Sequence, residues 1–243
     1  MLLRGNNLTY DNNSPEWMAT DNPETWEKSS RKWKEKWRDV HITYDLNSDG
    51  YRTDEWDTID WKNAVVIIGD SCTMGVGVPK ECTVSSQLQK AIGRPVINLG
   101  VAGSSNMFML YNAANLLKHV TPYAVVVQWS TPDRYVKFCH PQTGNTGIVH
   151  EGSWDQNQAY TNFWIRNDNF MFHNDQIINT MNQLNITRYL DYTPIQIAGT
   201  ERNLAWSPNE GDKARDRLHP NGDVYKLWSN TIKEDFEKNG WMG

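Results

Sequence analysis

At 243 residues the chain is long enough to bury a full core, as one domain with embellishments. A net charge of −5 and a pI near 5.7 argue against a general nucleic-acid binder and against docking on anionic membranes. No apolar run approaches the ~20 residues of a membrane span. Residues 1–7 are followed by no signal-peptide core, and three cysteines without CxxC spacing suggest neither a disulfide framework nor a zinc site, so a reducing, cytoplasmic setting is expected.

Along the chain, residues 1 to about 20 are polar and aperiodic and read as an irregular leader. Asn22-Pro23-Glu24 is a helix start, with a capping side chain, proline in the first turn and an acid at the N-terminus. The helix is expected to run from 22 to about 38, with Trp26, Trp33 and Trp37 on one face and six Lys or Arg making the rest basic, a solvated outer face rather than a polyanion surface. From about residue 61 the pattern alternates strand and helix. Strands are expected at 64–68, 95–99, 123–128 and 193–198. Helices are expected at 81–92, 104–120 (Met107, Leu110, Ala114 and Leu117 on one side), 175–190 and 223–236. Short apolar strands alternating with helices imply a parallel sheet covered on both faces. The stretch from about 133 to 174 shows no clear period, and its length marks it as a lid or recognition insertion. Residues 1–60 therefore read as an N-terminal extension and 61–243 as the main domain. Twelve tryptophans in a chain of mean hydropathy −0.70 serve either core packing or the faces of sugars.

Two strings carry chemistry. Val65-Val66-Ile67-Ile68-Gly69-Asp70-Ser71 is a buried strand running into a turn that presents a serine, and ligands in parallel α/β sheets bind beyond the carboxyl ends of the strands. Asp216-Arg217-Leu218-His219-Pro220 places an acid three residues before a histidine, so that one imidazole nitrogen can be held by the acid and the other left free. A serine hydroxyl needs such a base, and the base needs a third group to orient it.

With Val96-Ile97-Asn98-Leu99-Gly100-Val101-Ala102-Gly103-Ser104 between them, these strings resemble the blocks of the SGNH hydrolases, the GDSL esterase/lipase superfamily, over about residues 45 to 236. Asn47-Ser48-Asp49-Gly50-Tyr51-Arg52 also looks like a stretch that precedes the first strand in some members. The resemblance implies a three-layer α/β/α sandwich with a short parallel sheet, SGNH- or flavodoxin-like, carrying the Trp-rich N-terminal extension and the lid. It implies Ser71 as nucleophile, His219 as general base and Asp216 as its orienting acid, with the N–H groups of Ser71 and Gly103 as oxyanion donors. Most members add an asparagine after the third strand. Here the run is Gln128-Trp129-Ser130-Thr131-Pro132-Asp133-Arg134, with Pro132 near that place, and the stand-in candidates are Asn106, Ser130, Thr131 and Arg134. Trp129, Arg134, Trp154 and Trp164 are the candidate substrate contacts.

The expected reaction is hydrolysis of an ester through an acyl-serine, with no metal or cofactor. The expected partner is a small-molecule or glycan ester, an O-acetylated carbohydrate foremost, and neither nucleic acid nor a membrane. A polysaccharide O-acyltransferase with the same triad, and a catalytically impaired fold serving as a glycan-binding module, are the alternatives; the oligomeric state stays open. Asp45, Asn47 and Asp49 mimic a calcium loop, but Trp56 stands where the bidentate acid would be, which favours a tight turn at Gly50.

Overall fold

The computed structural model describes residues 2, 5, 16–139, 147–152, 169–193, 202, 204 and 209–242. Its strands, in chain order, are β1 (Val65–Gly69), β2 (Val96–Gly100), β3 (Ala124–Gln128), β4 (Tyr135–Cys139), β5 (Gly147–Glu151) and β6 (Tyr189–Tyr192). Four of them form a parallel sheet in the order β2-β1-β3-β6. The helices are α1 (Pro23–Glu27), α2 (Arg31–Trp37), α3 (Ser71–Met74), α4 (Val84–Ile92), α5 (Asn106–Leu116), α6 (Asn169–Gln183) and α7 (Gly222–Lys238).

Side chains alternate across a strand, so β1 feeds two cores. Val65 and Ile67 enter one with Leu88 and Ile92 of α4 and Trp228, Ile232 and Phe236 of α7. Val66 and Ile68 enter the other with Phe108, Met109 and Ala113 of α5 and Ile177, Ile178 and Met181 of α6. The result is the three-layer α/β/α sandwich, and both faces being covered is why β1 and β3 read as unbroken apolar runs.

Residues 18–44 are built into this core. Met18, Trp33, Trp37, Ile42 and Tyr44 share the buried cluster of β1, α4 and α7, so packing runs without a break across residue 60. The single helix expected over 22–38 is two. Ser30 accepts from the N–H of Trp33 and caps a fresh start, while the Ser29 hydroxyl bonds back to the carbonyl of Thr25. Serine competes with the helix for backbone partners, and two in a row end one helix and begin another.

Other boundaries move for similar reasons. Thr83 caps α4 and delays its start, and Ser105 caps α5. In α5 the buried side runs through Phe108, Met109, Asn112, Ala113 and Leu116, whereas Met107, grouped from the sequence with Leu110, Ala114 and Leu117 on one side, is 43% exposed. The helix expected at 175–190 lies at Asn169–Gln183, and the fourth parallel strand lies at Tyr189–Tyr192 rather than 193–198. Tyr189 and Asp191 disguise that strand, because the sheet edge takes a half-buried tyrosine and a buried carboxylate. Positions 194–198 lie outside the described residues. Part of the aperiodic insertion is an antiparallel pair, β4 with β5, in a sheet of its own. Residues 140–146 and 153–168 of that insertion lie outside the described residues. No helix among those described is long and apolar enough to cross a membrane.

Candidate active site

Ser71 is the first residue of α3, immediately after β1. Asp70 caps that helix by accepting from the N–H of Cys72, and Gly75, at φ 82°, ends it. The fit of α3 against the sheet depends on Gly100 at the end of β2, where a Cβ would stand 2.2 Å from the amide nitrogen of Met74. Arg52 holds the following turn from below: its buried guanidinium donates to the carbonyls of Gly75, Val78 and Thr43. Its neighbour Tyr51 accepts from Asn112 of α5. The Asn47 carboxamide accepts from the N–H groups of Asp49 and Tyr51, so the calcium-like loop is folded as the expected tight turn, with Gly50 at φ 86°.

Asp216 and His219 sit on a loop whose ends pair antiparallel at Lys213 and Pro220. Oδ1 of Asp216 accepts from the backbone N–H of Leu218 and of His219, and Oδ2 accepts from His219 Nδ1 at 2.5 Å. His219 Nε2 lies 2.8 Å from Ser71 Oγ, across 148 positions of sequence. Arg217 between them adopts φ 65°, a left-handed conformation that surrounding contacts must hold.

The electrostatics match this order. Burial by itself would lower the His219 pKa, but the Asp216 carboxylate and its hydrogen bond outweigh it and hold the imidazole above its ordinary value. Burial would likewise raise Asp216, but His219, Thr20 and the loop N–H groups bring it below the usual carboxylate range. Burial, reinforced by Asp70, pushes the Cys72 thiol well up, so the neighbouring cysteine is no thiolate.

A cavity of about 510 Å³ opens over Ser71 and His219, lined also by Ala19, Thr20, Ala102, Gly103, Arg134 and Leu218. Gly103 adopts φ 75°, a conformation glycine takes without penalty, and brings backbone to the cavity beside the serine. Arg134 forms an ion pair with Asp70 at 2.8 Å and so holds its guanidinium next to the Ser71 turn.

The other stand-ins lie elsewhere. Asn106 donates to the Ser130 carbonyl and to Asn174 Oδ1 and accepts from the Ser130 N–H, while the Ser130 hydroxyl donates to Asp70. Both are structural ties between α5, the end of β3 and the serine turn, and neither lines the cavity, nor does Thr131. Trp129 is corrected as a substrate contact: it is 1% exposed, and its indole N–H donates to Asp191 inside the core. Trp154 and Trp164 lie outside the described residues.

Sequence reasoning missed a second network. Asp21 takes a two-pronged hydrogen bond from Arg215, the residue before Asp216, at 2.8 and 2.7 Å. The same carboxylate accepts from the Tyr44 hydroxyl, which itself accepts from the Gly77 N–H. Trp33 donates to the Arg215 carbonyl. No local pattern distinguishes Asp21 from a surface acid, and only its buried partner far down the chain does. Among the described residues there is no group of three or more His, Cys, Asp or Glu placed to hold a metal.

No protein-family model matches the sequence, and no curated protein does. Solved structures similar to the chain include one assigned to the G-D-S-L family of lipolytic proteins from Desulfitobacterium hafniense, with 15% identity over 71% of this chain and 98% of the other, at a TM-score of 0.43. A second is the psychrotrophic esterase EstA from Pseudoalteromonas, with 14% identity over 72% of this chain and 97% of the other, TM-score 0.45. A third is a carbohydrate esterase family 2 enzyme from Corynascus thermopiles, with 16% identity over 74% of this chain and 67% of the other, TM-score 0.44.

Proposed function

We propose that this chain is an SGNH-type serine esterase that cleaves a short acyl ester, an O-acetyl group on a carbohydrate being the substrate class that suits it best. The observation that carries the reading is the unbroken run of contacts Ser71 Oγ–His219 Nε2–Asp216 at the rim of the parallel sheet. In this reading Ser71 Oγ attacks the ester carbonyl while its proton passes to His219 Nε2, and Asp216 stabilises the imidazolium. The N–H groups of Ser71 and Gly103 receive the oxyanion, with the Arg134 guanidinium as the added donor in place of the missing asparagine. Collapse expels the alkoxide, which takes the proton from His219, and water repeats the sequence on the acyl-serine. Support for a short acyl group comes from the small residues that line the cavity with the serine, Ala19, Ala102 and Gly103. Thr20 and Arg134 add polarity on the same walls.

The test is a burst of p-nitrophenol from p-nitrophenyl acetate. It is expected in the wild type and absent in Ser71→Ala, with a fluorophosphonate probe labelling the Ser71 peptide. Equal turnover in Ser71→Ala overturns the reading. One observation favours a non-hydrolytic glycan-binding module instead, namely Pro132 where an oxyanion asparagine would stand. Undiminished glycan affinity in Ser71→Ala with no turnover in the wild type selects that alternative.

A further inference from the structure

Asp216 has a partner from the opposite end of the chain. The Thr20 hydroxyl donates to Asp216 Oδ2 at 2.6 Å, across 196 positions of sequence and to the same oxygen that takes His219 Nδ1–H. Thr20 is held there by construction. Met18 and Asp21 exchange both backbone hydrogen bonds around a two-residue turn, in which Ala19 adopts φ 53°. A left-handed alanine persists only where its surroundings impose it, and such residues gather at functional sites. The surroundings here are Met18, buried in the core, and Asp21, clamped by Arg215. The turn thus arrives at the relay fixed at both ends, and Ala19 and Thr20 face the cavity that holds Ser71.

Resting on the esterase reading, we propose that Thr20 is a positioning residue of the triad that acts through Asp216, its hydroxyl drawing charge from the oxygen that faces His219. The N-terminal turn is then a working wall of the active site. The charged groups acting on the imidazole are Asp216 on its own loop, Asp70 at the head of α3 and Arg134 after β3. Thr20 is neutral and acts through the first of these. Removing its hydroxyl leaves Oδ1 tied by the N–H groups of Leu218 and His219, so the carboxylate stays in place with more charge on Oδ2. The imidazolium is then better stabilised, and a higher pH is needed to free the base.

The experiment compares Thr20→Val, which keeps the shape and deletes the donor, with Thr20→Ser, which keeps the donor. His219 is titrated by NMR in each full-length variant, its signal assigned by its loss in His219→Gln. In Thr20→Val the titration midpoint and the acidic limb of kcat/KM are expected to rise by about 0.5–1 pH unit, an activity loss of about three- to tenfold below the limb. Thr20→Ser is expected to track the wild type. If Thr20→Val does not fold, Thr20→Ala carries the same prediction. An unchanged midpoint in the hydroxyl-deleted variant, or a Thr20→Ser shift of equal size, overturns the proposal. Because the titration needs no turnover, it judges Thr20 even where Ser71→Ala shows the esterase reading to be false.

Discussion

The Asp216 carboxylate collects two loop N–H groups, the His219 imidazole and the Thr20 hydroxyl, and this saturation explains how it stays ionised while buried. Its ion pair with His219 exists only between the two folded-state pKa values. Asp216, lowered on folding, contributes stability above its unfolded pKa of about 3.9, lost as pH falls through the folded value. His219, raised on folding, contributes stability below its unfolded pKa of about 6.5, lost as pH rises through the folded value. The stability gap between wild type and His219→Gln, read by thermal melts, is therefore expected to be widest between about pH 4 and 6.5 and to shrink on both sides. Turnover by the proposed mechanism has the opposite requirement, because His219 must be neutral to act as the base. A kcat/KM profile on p-nitrophenyl acetate is expected to rise through a limb above the ordinary imidazole pKa, and a limb below it contradicts the Asp216–His219 pairing. Arg134 gives a separate test. Arg134→Lys keeps a cation beside Asp70 but loses the planar fork, so kcat is expected to fall by roughly 10²-fold with melting little changed.

Secondary-structure elements meet at the serine through backbone contacts that leave no room for side chains. At Gly100 a Cβ would meet the Met74 amide nitrogen at 2.2 Å and its Cα at 2.7 Å, and neither can move without shifting α3. Gly100→Ala is expected to destabilise by about 1–3 kcal/mol and to slow fluorophosphonate labelling of Ser71, since the whole serine turn is displaced. Normal labelling in that variant would show that α3 tolerates the shift. The elements that the sequence obscured have physical reasons for being obscure. Paired serines split the first helix by offering the backbone alternative partners. β6 alternates Tyr189, Leu190, Asp191 and Tyr192, and the sheet edge takes the polar groups that a central strand would refuse.

The N-terminal residues and the body of the protein are joined through buried charge. Arg215 and Asp21 lie side by side with 9% and 2% of their side chains exposed, so removing one leaves the other charged and unpaired. Asp21→Ala is expected to cost about 3–5 kcal/mol in a denaturant titration. It is also expected to lower activity, because the same residue anchors the turn that carries Thr20. A loss below about 1 kcal/mol, the scale of an exposed pair, would mean that the clamp is open in solution. The tryptophans take part in this joining. Trp33 and Trp37 fill the core against α7 and β1, and Trp33 hydrogen-bonds the Arg215 carbonyl. Trp33, Trp37, Trp129 and Trp228 are buried and serve packing, and the sugar-platform reading of Trp129 gives way to burial.

Hydrophobic period and punctuation alone settled that strands and helices alternate, that β1 ends in a serine turn, and that Asp216 and His219 share one loop. Those features are local: a buried strand must be apolar on both faces, a turn must use small or capping residues, and an acid three residues from a histidine can reach it. Only the folded chain decided that Thr20 and Asp21 join that loop, that Asn106 and Ser130 are structural ties, and that Arg134 remains at the cavity. Each of those depends on which distant partner satisfies a buried polar group. Sequence spacing carries no record of that choice, because burial and pairing arise only when segments far apart in the chain compete for the same hydrogen bonds.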